Sequence, residues 1–207
     1  MLATVIDTRA LRRNATRARI LEAAWALARH DGLAAISLRK VAETVGMRAP
    51  SLYKHFGSKH AIYDAMYAAA ATELAETLAG RPRGATPAHT LRNRVRVFMQ
   101  FCTADPLRYQ LLLERPIPNF EPTPESFAIT AGALAGTRAD LEAAGVHGEQ
   151  ALDLMRALIT GLVSLQVAND PGGNRWSRLT DDALSMFLAY HTGQDGGSSV
   201  RSQRRRR

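Results

Sequence analysis

"VGMRAPSLYKHFGSKHAIYDAM", residues 45–66, fits a glycine turn, a very short helical piece and the start of another helix into twenty-two residues. The short piece carries Arg48, Ser51, Tyr53, Lys54 and His55, and it offers an interior only Leu52 and Phe56. At about 100° per residue, Phe56 lies roughly 40° from Leu52, so both point inward. Pro50, Ser51 and Lys54 then fall on the opposite side, flanked by Tyr53 and His55, with Arg48 and Ala49 at the N-terminal end. Pro50 suits a first helical turn, where an amide has no intrahelical partner anyway. A rod that anchors through two side chains and displays hydroxyls, a cation and an imidazole either connects larger elements or touches something.

The flanking residues favour contact. Ser37 caps a preceding short helix with Val41 and Val45 inward, and Gly46-Met47 makes the sharp turn into the rod. Arg39 and Lys40 of that helix would lie near phosphate if the rod entered a DNA major groove, which is helix-turn-helix geometry. After Gly57, Ser58 caps a long helix to about Ala79. Lys59 at its start meets the positive end of the helix dipole, an arrangement that a phosphate would reverse in sign and that water would merely screen.

Charge is distributed unevenly. Residues 1–59 hold 11 Lys/Arg against 4 Asp/Glu, residues 60–191 hold 11 against 14, and residues 192–207 hold 5 against 1, within a total of +8. A basic first quarter suits a polyanion partner, or a solvated face on which like charges happen to gather. Residues 1–15 read as a flexible basic arm with Arg9, Arg12 and Arg13, ahead of a helix capped by Asn14 or Thr16. Residues 192–207 read as a disordered basic tail. Between these ends nearly everything has helical periodicity, at 87–103, 106–114, 124–144, 148–169 and 180–191. "GRPRGATP" (80–87) reads as a linker and "RPIPNFEPTP" (115–124) as a loop. The fold class is all-α.

"ILEAAWALARHDG", "SLRKVAETVGM" and "PSLYKHFGSKHAI" resemble the N-terminal DNA-binding domain of the TetR/AcrR family of bacterial transcriptional regulators. The resemblance covers about fifty residues, and its "LYKHFGSK" core is specific. It implies a helix-turn-helix domain over 16–62, joined by a long helix to a ligand-binding and dimerisation domain over 63–191. By position it implies that Arg39, Arg48, Ala49, Pro50, Ser51, Tyr53, Lys54, His55 and Lys59 meet double-stranded DNA carrying a palindromic operator. Arg48 could fork onto a guanine edge or grip phosphate. His60 stands where the family often has an acid. The family is usually a cytoplasmic homodimeric repressor released by a small molecule.

In the C-terminal half, 148–169 is apolar nearly all round, with Gly161 permitting close approach of another helix. Such a helix needs burial on two sides, either wholly inside its own domain or against a second subunit through 148–169 and 180–191. Phe98, Phe101, Cys102, Tyr109, Leu112, Phe127, Met155 and Trp176 are candidate lining residues for a mainly hydrophobic effector, and most such residues are ordinary core. Arg94, Arg108 and Glu114 could orient a polar head or sit in solvent. Metal-ligand spacing, a phosphate loop and a nucleophile elbow are all missing from the sequence, so no enzyme activity, cofactor or metal is expected. The longest apolar run, "ALITGLVSLQVA" (157–168), is too short to suggest a bilayer span, and a secretory signal is not apparent.

Overall fold

A computed structural model describes residues 8–193. Expectations for residues 1–7 of the arm and 194–207 of the tail lie outside the described residues. The described elements are helical throughout and form two compact units, residues 8–79 with 104–133 and residues 80–103 with 134–193.

The first unit opens with α1 (Thr8–Asp31). This helix starts well before the expected cap. Residues 8–31 contain neither glycine nor proline, and alanine and arginine are strong helix formers. The first turns bury nothing, so they lack an apolar stripe, but their backbone preference is intact. Thr16 does not act as a cap either, since its hydroxyl donates 2.9 Å back to the Arg12 carbonyl. Gly32, at φ 86, ends the helix and leads into a 3-10 turn, Leu33–Ala35.

Ser37 caps α2 (Leu38–Thr44), accepting from the Lys40 amide at 3.2 Å, and Gly46 turns the chain at φ 70. The next helix, α3, spans only Ala49–Tyr53. Its phase continues one step further, because the Phe56 amide donates to the Leu52 carbonyl at 3.0 Å. That bond keeps Phe56 on the side of Leu52. Ser58 caps α4 (Lys59–Ala79) through the Ala61 amide at 3.1 Å.

Ile20, Ala24, Ile36, Val41, Leu52, Phe56, Ile62, Tyr63 and Met66 form the core of this unit. Leu111, Ile117 and Phe120 belong to the same core, supplied by α6 (Pro106–Leu113) and the loop after it. The unit is therefore larger than the segment 16–62. The short helices α2 and α3 offer little apolar area for sealing the core, and Tyr63 against Phe120, ring centres 5.6 Å apart, extends the seal. Polar ties fix the same residues. Tyr63 donates to the Leu33 carbonyl at 2.7 Å, Asp64 accepts from the Thr123 amide at 2.8 Å, and Arg29 meets Asp105 at 2.9 Å.

The second unit contains most of α5 (Pro87–Ala104), the later turns of α7 (Pro124–Ala143), α8 (Glu149–Asn169) and α9 (Thr180–Thr192). Leu91, Val95, Met99, Leu141, Leu152, Met155, Ile159, Val163, Leu184 and Phe187 are its buried apolar residues. Arg94 is buried with them rather than free to orient a ligand, and its Nε donates to Asp140 at 2.5 Å, as does Arg81 Nη2. Although α8 is apolar nearly all round, only one side is covered. Leu154 is 48% and Leu165 39% exposed on the other, and Met186 and Tyr190 of α9 are more than 70% exposed. By length and composition α8 could cross a bilayer, a test that the core helix of a globular unit also passes.

Candidate nucleic-acid interface

The site rests on two side chains. Leu52 is 0% and Phe56 1% exposed, while Tyr53, on the same short rod, is 52% exposed. Lys54, Pro50 and Arg48 are exposed beside it, and Ser51 and Ala49 are half-buried at its edge. Arg48 takes the N-cap position in extended backbone, which swings its side chain clear of the helix axis. His55 is only partly available, because its Nδ1 is buried without a hydrogen-bond partner. The outward face of α3 is therefore Arg48, Pro50, Tyr53 and Lys54, with Ser51 and one edge of His55.

The cations around it are held, two by carboxylates and one by a backbone carbonyl. Arg39 meets Glu43 at 2.9 Å on the exposed side of α2, and Lys40 meets Asp31 at 2.9 Å. Pairs this open contribute little to stability and can exchange a carboxylate for a phosphate. Lys40, then His30, holds the Asp31 carboxyl below its ordinary range by hydrogen bonding. Lys59 does not extend into water. Its ammonium donates to the Ala34 carbonyl at 2.9 Å and lies 5.3 Å from the Tyr63 ring centre. An ammonium has three donors, so this arrangement still leaves hydrogens for a phosphate at the start of α4.

One residue escaped the sequence reading. Arg17 of α1 stacks 4.1 Å over the Phe56 ring and donates to the His55 carbonyl, at the C-terminal end of α3. A cation suits that negative end of the rod, and the stack holds Phe56 in place. Its signal in the sequence was available. Arg17 lies on the face of α1 that carries Ile20, Leu21 and Ala24, where an arginine is out of pattern unless it has a partner.

The expected effector-lining residues are divided between the units. Tyr109, Leu112 and Phe127 lie in the first, and Phe98, Phe101, Cys102, Met155 and Trp176 in the second. Phe127 is 57% exposed and lines no interior, because Ser126 takes the inward position next to it and bonds Thr123. Cys102 is buried, and burial pushes its thiol pKa up, which makes it inert. Arg108 pairs with Glu73 and with Asp105. An open polar cleft of about 420 Å³ in the second unit is lined by Gly84, His89, Arg92, Asn93, Arg96 and Asp181, none of them in the expected set. Among the described residues no cluster of His, Cys, Asp or Glu could hold a metal.

Comparison with known proteins agrees with this geometry. Residues 20–66 match the pattern of "Bacterial regulatory proteins, tetR family". The HTH-type transcriptional regulator Rv1816 of Mycobacterium tuberculosis is 29% identical over 119 residues, which is 56% of this chain and 50% of that protein. The chain thus spans about half the length of the curated relatives it matches. Among solved structures, the TetR-family regulator PfmR from Thermus thermophilus superposes with a TM-score of 0.64 at 22% identity, over 82% of this chain and 97% of that one. The multidrug binding protein EbrR, complexed with imidazole, gives 0.61 at 22% identity, over 83% and 89%. These likenesses are of fold, and the fold class is the all-helical one expected. The family is one of regulators and not of enzymes. The helix-turn-helix module of residues 20–66 is thus similar to that of the TetR family of bacterial regulatory proteins.

Proposed function

We propose that the protein is a cytoplasmic, homodimeric transcription repressor that binds a palindromic operator and is released from it by a small, mainly hydrophobic effector. The observation that carries the reading is the division of α3. Leu52 and Phe56 are sealed, while Tyr53 and Lys54, between them in sequence, stand in solvent. A stability role would not require that exposed face, whereas a major groove reads hydroxyl, ammonium and guanidinium groups of this kind. Arg48, Ala49, Pro50, Ser51, Tyr53, Lys54 and His55 would approach base edges. Arg39 and Lys59 would approach phosphate.

Dimerisation is supported by the uncovered side of the second unit. Leu154, Ala157, Leu158, Gly161, Leu165 and Ala168 lie within roughly 60° of one line along α8, and Met186 and Tyr190 continue the apolar surface on α9. An added Cβ at Gly161 would meet nothing within 4 Å in one chain, so its own fold does not require the glycine. A second helix approaching closely would. Two α3 rods held about 34–36 Å apart by such a dimer fit successive major grooves. An effector that binds better to a differently spaced dimer shifts the population away from DNA. EbrR, which shares the fold, is described as binding multiple drugs, and that is consistent with an effector here.

Selection of bound duplexes from a random pool, followed by gel shift with wild type and with Tyr53→Ala combined with Lys54→Ala, tests the reading. A palindromic consensus that the double variant no longer recognises is expected. Equal binding of unrelated sequences by both proteins would overturn it in favour of nonspecific condensation.

A further inference from the structure

Four polar side chains of α5 repeat at helical spacing. His89, Arg92, Asn93 and Arg96 stand at i, i+3, i+4 and i+7, within roughly 100° of the helix circumference. Leu91, Val95 and Cys102 fill the opposite side and are buried. A polar stripe of this kind ordinarily faces water. Here it lines the cleft of about 420 Å³, together with Gly84 and with Asp181 of α9. The wall is closely built. A Cβ at Gly84 would come within 2.4 Å of the His89 Cβ, and the Gly84 amide donates to Thr90 Oγ1 at 3.0 Å, so glycine is what lets the loop lie against the first turn of α5. Asn93 Nδ2 ties down the same loop, donating to the Pro82 carbonyl at 3.1 Å. The charges inside do not cancel. Arg96 takes both carboxylate oxygens of Asp181, with Nε donating at 3.1 Å, so that pair is neutral as a unit. Among the described residues Arg92 meets no carboxylate. Its Nη2 donates to the Ser185 hydroxyl at 3.1 Å, which in turn donates to the Asp181 carbonyl at 2.8 Å. A guanidinium has five donors, and this half-buried one keeps hydrogen-bonding capacity that an oxyanion matches in both geometry and charge.

We propose that this cleft is a binding site for the anionic head of a small polar metabolite, a phosphate or a carboxylate, with Arg92 as its principal cation. Its volume falls in the range of small-molecule sites. The pair of Arg96 with Asp181 braces α9 against α5, and Gly84 shapes the wall beside His89. The site is distinct from the one proposed for a hydrophobic effector, because Phe98, Phe101 and Cys102 of that set lie on the opposite side of α5. It is also clear of the surface proposed for dimerisation. Met186 and Tyr190 stand about 100–180° around α9 from Asp181 and Ser185. Neither operator binding nor a dimer is needed for the anion to enter.

The test follows the amide NMR spectrum of the full-length protein, free of DNA, as inorganic phosphate or lactate replaces chloride at constant ionic strength. At least one of the two anions should give saturable shifts at Gly84, Arg92, Asn93 and Ser185, and the tighter binder identifies the head group. Arg92→Gln should weaken that binding by about tenfold or more, as expected when a hydrogen bond to a charged group is lost. Glutamine is a good helix former, so circular dichroism should show helix content retained. Arg156→Gln removes an exposed guanidinium from α8 and should bind as wild type does. Without saturable shifts from either anion, or with Arg92→Gln binding as tightly as wild type, the proposal fails. Equal weakening by Arg156→Gln refutes it as well, since that is diffuse attraction to a basic protein. None of these results touches the operator-binding reading, which the duplex selection and the Tyr53/Lys54 variant test separately.

Discussion

Leu52 and Tyr53 are neighbours in sequence with opposite tasks, and substitution separates them. Leu52→Ala empties a fully buried site and should cost about 3 kcal/mol, read as a lower denaturation midpoint with loss of DNA binding as a consequence. Tyr53→Ala removes an exposed side chain and should stay within about 0.5 kcal/mol of wild type, yet abolish the operator shift. A Tyr53 variant that unfolds would contradict the division of α3 into an anchored and a reading side. Cys102 allows a simpler check. Burial raises its pKa and hides it, so a maleimide should label the thiol only after the protein is unfolded in guanidinium.

At the scale of elements, α8 shows how one polar residue in an apolar helix can organise the chain that follows. Gln166 is buried, and its Oε1 accepts from the Trp176 amide at 2.8 Å and the Ser177 amide at 3.0 Å. Its Nε2 donates to the Asp170 carbonyl and, at 3.2 Å, to the Asp170 carboxylate. Gln166→Leu keeps the size and strands both amides. It should destabilise the second unit by about 1–3 kcal/mol per orphaned donor, seen as lost hydrogen-exchange protection at residues 176 and 177. The Arg175 amide, then Gln166, holds the Asp170 carboxyl below its ordinary value of 3.8. A folded-state pKa below the unfolded one means that this contribution is complete above about pH 4 and is lost as pH falls through the folded value. The turn from 170 to 177 should therefore loosen in acid, and Asp170→Asn should remove that pH dependence when tryptophan fluorescence is followed from neutral to strongly acidic solution.

For the whole molecule, α8 and α9 leave an apolar side in solvent, with Leu154, Leu165, Met186 and Tyr190 exposed. Leu154→Glu with Leu165→Glu places charge on that side and replaces no buried residue. If the proposed dimer forms through that side, sedimentation should show a monomer with wild-type helicity and without tight binding to the proposed operator, since one rod would read only a half-site. A charged variant that stays dimeric would move the interface elsewhere. The two units also show why the chain's linear order is a poor guide to its compact parts. Residues 104–133 follow α5 in sequence but complete the core begun by α1 to α4.

The sequence alone determined the all-helical class, the helix-turn-helix spacing and the inward pair Leu52 and Phe56. Each follows from local rules: helical period, Ser37 and Ser58 as caps, and glycine at Gly32 and Gly46 where the backbone needs positive φ. Tertiary structure decided what depends on distant partners. The clamp of Arg17 on α3, the folding back of Lys59 onto Ala34, the burial of Arg94 against Asp140 and the outward turn of Phe127 all depend on groups brought together from separate parts of the chain. Periodicity reports which face of a helix is apolar, but only packing shows what that face meets, because side-chain partners are chosen in space and not along the sequence.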